Sequence, residues 1–312
     1  MIQKSTICAI TCWLMISATD SAAQAKPAGF HTDAWLIGKE GEPRKIELVA
    51  ATRTSIRYRV PSGSSDVLDL VLNRETSVYV SEPPDYTEAM NLYRARNYAG
   101  AKAKLIAVKE RYRPIEGLED SITTLAAFYE LECLRKLGDL DGLAAELQKF
   151  PKGNLSRAYQ ATQLELYVLW DALRTKSWER LESLARERSN VKLPGDQRSQ
   201  VAYCHGLALE GLDRPSEALI AYQTTITADA GASEGITRLT ALRILAIYHE
   251  DAEVKAAIKL RGSPQEAAAS SGGVKLAQAQ AVAALFEITF GGGIPLPTEF
   301  NGFTTSVRGK KD

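Results

Sequence analysis

One pattern occurs four times between residues 86 and 226, and it constrains the fold of this chain more than any other feature. Each copy consists of an amphipathic helical segment, a tight break and a second helical segment. The copies are 86–112, 125–150, 164–188 and 201–226, and the residues directly after the breaks are Tyr98, Leu140, Trp178 and Pro215, at spacings of 42, 38 and 37. A single helix pair cannot bury its apolar face, so a repeated pair predicts stacked neighbours that complete one another's core.

Small and large residues alternate around these breaks. In the fourth copy, Gly206 is the small residue midway along the first helix, and Ala218 and Tyr222 follow the break. The first copy has the corresponding residues Ala89, Tyr98, Ala101 and Leu105. This pattern resembles the tetratricopeptide repeat, a helix–turn–helix unit of about 34 residues. The resemblance implies an α–α superhelix in which small residues of one helix receive large residues of its neighbour.

The second and third copies depart from the repeat pattern. Leucines replace the small residue of the first helix and the alanine after the break, at Leu131, Leu143, Leu169 and Leu181. We therefore expect an irregular superhelix with wider helix separations. Helical segments at 234–249 and 251–260 indicate a fifth, degenerate pair. A helix at 274–290 is expected to stop at three glycines and to cap the array with a polar face of Lys275, Gln278 and Gln280.

Residues 34 to 81 have a different period, typical of β-strands. Five short β-branched runs are separated by breaks rich in Gly, Pro, Asn or Ser. In the third run, Ile56 and Tyr58 alternate with Arg57 and Arg59, which predicts one buried and one exposed face. Five runs in so short a stretch favour a small antiparallel barrel, similar in its rhythm to SH3-like or Sm-like barrels.

These patterns divide the chain into four parts. The predicted boundaries are 1–25 for a signal peptide, 26–82 for a small β domain, 83–261 for the helical repeats, and 262–312 for a capping helix and tail. The predicted repeat units are 84–113, 118–150, 155–188, 196–228 and 234–261. The diproline Pro83-Pro84 suits a rigid junction, because it cannot continue a strand ladder and it pre-sets a first helical turn.

The N-terminus has the layout of a secretory leader. Lys4 provides a positive start, residues 7–16 form a short apolar segment, and Ala23-Gln24-Ala25 offers small residues for cleavage. A buried N-terminal helix is the competing interpretation. No other apolar run is long enough to span a membrane. We expect an exported, periplasmic protein of a two-membrane bacterium that begins at Lys26 after cleavage.

Residues suited to catalysis or metal binding are sparse. Cys133 and Cys204 remain after the leader, both inside apolar runs, and buried thiols are favoured over a disulfide. Cys204 and His205 are adjacent on a helix and point in different directions, so they do not form a nucleophile and base. His249 and Asp251 fit the end of one helix and the N-cap of the next better than half a metal site. We expect no catalytic residue, metal or cofactor.

The superhelix geometry that the resemblance implies places a partner-binding groove along the first helix of each pair. The candidate groove residues are Tyr86, Met90, Tyr93, Arg94, Phe128, Arg135, Leu166, Trp170, Arg174, Tyr203 and Leu207. Aromatic residues beside arginines are typical of interaction hot spots. The alternative is that several of them belong to the core of an irregular superhelix. The Lys/Asn set with which chaperone-binding members hold a C-terminal carboxylate is missing, so an apolar peptide segment or a folded partner is expected.

Charge and composition narrow the possible partners. The 38 basic and 38 acidic residues cancel, which argues against nucleic acid as a partner. The leading hypothesis is an exported scaffold or adaptor that binds other envelope proteins or peptide segments. The alternative is an accessory protein that binds glycan or peptidoglycan through the β domain, and a hydrolase is a third hypothesis. The sequence leaves the oligomeric state open.

Overall fold

The computed structural model describes residues 30–38, 41–61, 66–228, 234–267 and 270–304. This part of the chain is mainly helical, with a small antiparallel sheet at its N-terminal side. The predicted leader 1–25 and its cleavage site lie outside the described residues. The two fold classes predicted for the two halves are therefore confirmed at the level of helices and a sheet.

Five strands form one sheet, and each matches a predicted run. The strands are β1 (Thr32–Ile37), β2 (Arg44–Ala51), β3 (Ser55–Arg59), β4 (Leu68–Val71) and β5 (Ser77–Val80). Every pairing is antiparallel and the order is β4-β3-β2-β1-β5, so the last strand returns to lie beside the first. Ile56 and Tyr58 are buried while Arg57 is exposed, as the alternation predicts.

The helices of the first four pairs follow the predicted breaks. They are α1 (Pro84–Arg94), α2 (Tyr98–Arg111), α3 (Ile122–Leu137), α4 (Leu140–Lys149), α5 (Ala158–Arg174), α6 (Trp178–Ser189), α7 (Gly195–Gly211) and α8 (Pro215–Ala228). The remaining helices are α9 (Glu234–Glu250), α10 (Ala252–Leu260) and α11 (Ser271–Phe290). Tyr98, Leu140, Trp178 and Pro215 are the first residues of α2, α4, α6 and α8. The sequence spacing therefore located the start of each second helix.

The turns inside the first four pairs share one backbone geometry. The residue two positions before each second helix has a positive φ: Arg96 (62°), Gly138 (74°), Lys176 (51°) and Asp213 (57°). In each turn this residue donates its N–H to a carbonyl three residues back, and the next residue donates to a carbonyl five residues back. This is the hydrogen-bond pattern of a Schellman motif, which satisfies the last carbonyls of the preceding helix. Only one of the four turns uses glycine, so the sequence did not reveal the motif.

Shape complementarity holds α7 against α8. Gly206 lies against the ring of Tyr222, and any Cβ at that position would overlap the ring. Ala218 and Tyr222 are both fully buried. The small residue in one helix therefore receives the large residue of its partner, as the sequence pattern predicts.

The sheet packs directly against the first helices. Gly117, which follows α2, lies so close to the backbone of Thr52 that a side chain there would clash. The ring of Phe30 meets that of Tyr112 edge to face, with centroids 5.6 Å apart. Buried residues of the sheet and of the helices form one continuous cluster. The boundary predicted at residues 82 and 83 lies in the link between β5 and α1.

The C-terminal helix α11 ends at Phe290, before the predicted glycine stop. The expected polar face is present, since Gln278 is exposed and Lys275 and Gln280 are half-exposed. The Nζ atom of Lys275 lies 2.7 Å from Asp251 and 2.9 Å from Glu253, and Gln278 accepts a hydrogen bond of 2.6 Å from the hydroxyl of Tyr248. Two of the three predicted face residues therefore bind α9 and the start of α10, because α11 packs across that helix pair.

Candidate binding cleft

A cleft of about 800 Å³ runs across the first helices of all five pairs. Its walls come from α1, α3, α5, α7 and α9, with further residues from the turns that follow α1 and α3 and from the first residues of α2 and α4. Its lining is Tyr93, Arg94, Arg96, Tyr98, Glu132, Arg135, Lys136, Leu137, Gly138, Leu140, Tyr159, Trp170, Leu173, Asp196, Gln200, Tyr203, Gly235, Ile236, Arg238 and Leu239. The stacking of the pairs brings residues far apart in sequence into one concave surface.

Five of the eleven sequence-predicted groove residues line this cleft. They are Tyr93, Arg94, Arg135, Trp170 and Tyr203. Trp170 and Tyr203 lie with ring centroids 6.3 Å apart, while Tyr93 packs edge to face on Tyr98 at 5.6 Å. Trp170 is only 6 % exposed, so it forms the floor, whereas Tyr93 is half-buried on the wall.

Four other predicted groove residues belong to the hydrophobic core instead. They are Tyr86, Met90, Phe128 and Leu166, each at most 5 % exposed. On α1 and α3 the cleft is confined to the C-terminal turns, and residues one or two turns earlier are covered by neighbouring elements. For these four residues, the alternative that they belong to the core of an irregular superhelix is therefore the one that the structure supports.

The last two predicted residues lie outside the cleft lining. Leu207 is half-buried and packs against the core. Arg174 is at the end of α5, where it binds Asp171 at 2.8 Å and Asp141 at 3.2 Å. The side chain of Arg174 is therefore already neutralised by carboxylates of the protein itself.

A buried ion pair forms part of the cleft floor. Arg135 donates two hydrogen bonds to Glu132, of 2.9 and 2.8 Å, and its guanidinium lies over the ring of Trp170. Glu132 also accepts hydrogen bonds from the hydroxyls of Tyr167, at 2.8 Å, and Tyr93, at 3.4 Å. Burial alone would raise the pKa of Glu132, but the charge and hydrogen bonds of Arg135 outweigh it and the pKa is lowered. The floor is therefore ionised, internally paired and neutral overall.

A pair of glutamines extends this polar floor. Gln163 and Gln200 exchange amide hydrogen bonds of 2.9 and 3.0 Å, and the indole N–H of Trp170 donates to Gln200 at 3.3 Å. Neither glutamine is among the residues that the sequence pattern predicted for the groove. Their separation of 37 residues equals one repeat spacing, which is the signal that could have identified them as neighbours on successive first helices.

The wall of the cleft carries cations. The ammonium of Lys136 lies over the rings of Tyr93 and Tyr98, 5.8 and 5.3 Å from their centroids. Burial and the nearby charge of Arg135 lower the pKa of Lys136. Arg94 donates a hydrogen bond of 3.1 Å to the side chain of Asn91. The cleft thus offers aromatic faces and positive charge, which suit the non-covalent binding of a ligand.

Within the described residues, no cysteine or histidine lines this cleft. Cys133 and Cys204 are buried free thiols, and burial raises the pKa of each to about 12. The ring of His249 packs against Phe300, and the side chain of Asp251 caps α10 by accepting hydrogen bonds from Glu253 and Val254. The packed-thiol and N-cap interpretations of these residues are therefore confirmed.

No cluster of three or more His, Cys, Asp or Glu side chains within the described residues could hold a metal ion. None of the helices seen in that part of the chain has the length and apolar character needed to cross a membrane.

Comparison with known proteins gave no match to any family model, to any curated protein or to any solved structure. The function must therefore be inferred from the cleft itself.

Proposed function

We propose that this chain is an exported, periplasmic scaffold or adaptor that binds a peptide segment of another envelope protein in the cleft. The observation that carries this proposal is the concave surface made by five successive first helices, with aromatic side chains on its floor and walls. Aromatic and arginine side chains are enriched where interfaces gain most of their binding energy. A tetratricopeptide-like superhelix, the fold that the repeat pattern favours, presents such a surface to its partners.

In-cell crosslinking tests this function directly. A photo-reactive residue at Leu239, an exposed cleft residue, should attach envelope proteins, whereas the same residue at Ile288, an exposed position of α11, should not. Equal attachment at both positions would contradict a specific cleft.

N-terminal sequencing of the exported protein tests the proposed location, and the sequence should begin at Lys26. A cytoplasmic protein with Met1 intact would contradict the location.

A second candidate function rests on the β domain, which we propose forms an SH3-like or Sm-like barrel. Trp35 and Tyr79 are directly opposite one another on β1 and β5, and they are 38 % and 60 % exposed. Exposed aromatic rings can stack on sugar faces, so this pair favours the glycan-binding alternative. Loss of binding to purified peptidoglycan in Tyr79→Ala, with binding retained in the cleft variant Tyr98→Ala, would support it.

We propose that the chain does not act as an enzyme. The high pKa of the Cys204 thiol and the packed ring of His249 support this interpretation. Turnover of a substrate that disappears in His205→Ala or His249→Ala would contradict it.

A further inference from the structure

The charge on the cleft is concentrated on its walls. On the floor, Glu132 and Arg135 cancel one another through two short hydrogen bonds. Among the described residues, the remaining charged members of the lining are four cations, Arg94, Arg96, Lys136 and Arg238, and one anion, Asp196. The described part of the walls therefore has an excess of positive charge, although the whole chain has a formal net charge of zero.

The repeat geometry supplies an internal comparison for these cations. Arg94, Lys136 and Arg174 are each two residues before the positive-φ residue of their turn, so they are equivalent positions of three successive pairs. At the third position, Arg174 is bound by Asp171 on its own helix and by Asp141 of the preceding pair. The protein provides carboxylates for this cation.

At the first two positions the corresponding acids are missing. The residue equivalent to Asp171 is Asn91 for Arg94 and Cys133 for Lys136, and the residue equivalent to Asp141 for Lys136 is Ala99. Within the described part of the chain, no carboxylate lies within salt-bridge distance of the Lys136 ammonium, which instead lies over two tyrosine rings. The two equivalent cations without these acids are also the two that line the cleft.

Arg238 adds a cation from another helix. It is half-exposed near the start of α9, beside the exposed Leu239. Lys136 is on the second pair and Arg238 on the fifth, so a ligand that contacts both must extend along the cleft. The ring of Tyr98 lies beside Lys136, and Tyr203, on the fourth pair, offers a further apolar contact.

We propose that the occupant of the cleft is an acidic, extended peptide segment whose carboxylates replace the missing internal acids at Arg94 and Lys136 and also reach Arg238. This inference rests on the proposed function, because it assumes that the cleft binds a peptide. It does not require a free C-terminus, since the cations lie along the walls and not at one end. Apolar side chains between the acids would contact Tyr98 and Tyr203.

Three peptides of equal length, blocked at both ends, test this proposal with the full exported chain. They share the same leucine and phenylalanine positions and differ only in carrying Glu, Gln or Lys between them. The Glu peptide should bind most tightly, and Lys136→Gln should weaken its binding roughly tenfold, the effect of losing about 1.4 kcal/mol. Arg174→Gln is the matched control and should leave binding unchanged, since Arg174 lies outside the cleft lining.

Several results would overturn the proposal. Equal binding of the Gln and Glu peptides, or unchanged binding of the Glu peptide to Lys136→Gln, would show that charge does not select the ligand. In that case a peptide still binds and the proposed function stands. Displacement of the Glu peptide by inorganic polyphosphate at equal charge concentration would show that the cleft binds polyanions in general, and not acidic peptides in particular. Absence of binding by all three peptides, together with no crosslinks at Leu239, would remove the proposed function as well.

Discussion

The contact between α7 and α8 differs in its chemistry from the contact between α3 and α5. In the first, Gly206 leaves room for the ring of Tyr222, Ala218 is fully buried, and the interface is held by shape. In the second, Glu132 of α3 accepts a hydrogen bond from Tyr167 of α5, while Arg135 stacks on Trp170. The first contact lies inside one helix pair, and the second joins two pairs below the cleft.

The difference shows where this fold can tolerate polar groups. Tight contact between two helices of one pair requires small residues, because a glycine or alanine lets the backbones approach. Where pairs meet at the cleft floor, larger side chains separate the helices, and a buried charge is stable there only because it is fully paired. Apolar packing therefore holds α7 and α8 together within one pair, whereas a polar network joins α3 and α5 of neighbouring pairs.

The largest expected effect comes from breaking the polar contact. Arg135→Met would leave the Glu132 carboxylate buried without its cation, which costs about 3–5 kcal/mol. Urea unfolding monitored by circular dichroism measures the loss. The double variant Glu132→Gln/Arg135→Met should recover most of the stability, because the amide that replaces the carboxylate would still accept hydrogen bonds from the tyrosines and no charge would be buried. Equal instability of the single and double variants would mean that the charge pair is not the source of the effect.

An intermediate effect is expected from overfilling the apolar contact. Ala218 is fully buried beside Tyr222, so Ala218→Leu should lower the free energy of unfolding by about 1–3 kcal/mol. The melting temperature measures this change. Ile220→Leu, two residues away at a position that is 66 % exposed, is the matched control and should change little. An unchanged midpoint for Ala218→Leu would mean that this face of α8 is not tightly packed.

A smaller effect, an increase in the free energy of unfolding, is expected from a substitution in one of the positive-φ turns inside the helix pairs. A non-glycine residue at positive φ is strained by roughly 1–2 kcal/mol. Lys176→Gly should therefore raise the free energy of unfolding by about 0.5–1 kcal/mol, after the larger unfolded-state entropy of glycine is subtracted. Gly138→Ala, at the equivalent turn, should lower it by a similar amount. A loss of stability in Lys176→Gly would show that the lysine side chain has a role of its own.

The last prediction concerns a loss of folding stability that is absent at neutral pH and develops only in acid, when Glu132 is protonated. The pKa of Glu132 is lowered in the folded state, so the unfolded chain binds more protons as the pH falls below the ordinary glutamate value. The stabilisation is complete above that value and is lost as the pH falls toward the folded pKa. Between roughly pH 5 and pH 3, the urea midpoint of the wild type should fall more steeply than that of Glu132→Gln. Parallel pH profiles would show that Glu132 does not titrate in this way.

The sequence predicted the helix pairs because their breaks have a regular spacing that depends on local chemistry. Leu140 and Trp178 mark helix starts, and the alternation of Ile56 and Tyr58 marks a strand with one buried face. Such signals depend only on neighbouring residues in the chain, so they can be read without knowledge of the tertiary fold. The strands, the starts of the second helices and the glycine stop after Phe290 were therefore predictable, whereas α5 and α7 begin six residues before the segments that predicted them.

The cleft was predictable only in part. Periodicity places Phe128 and Glu132 on one face of α3, but it cannot tell which turn of that face a neighbouring helix covers. Phe128 is in the core, while Glu132, a residue type that is usually solvent-exposed, is buried against Arg135 and Tyr167. The turn geometry at Arg96, Lys176 and Asp213 was missed because no glycine marks it.

The repeated turn geometry makes the length of the array adjustable. Because the chain leaves a first helix and enters the next in the same way at Gly138 and at Lys176, deletion of residues 140–177 would join Asp139 to Trp178 with no change in the turn itself. Duplication of the same stretch would lengthen the array in the same way. Recombination between these turns therefore yields chains whose junctions are already folded, and the length of the cleft can change while its helix ends stay the same.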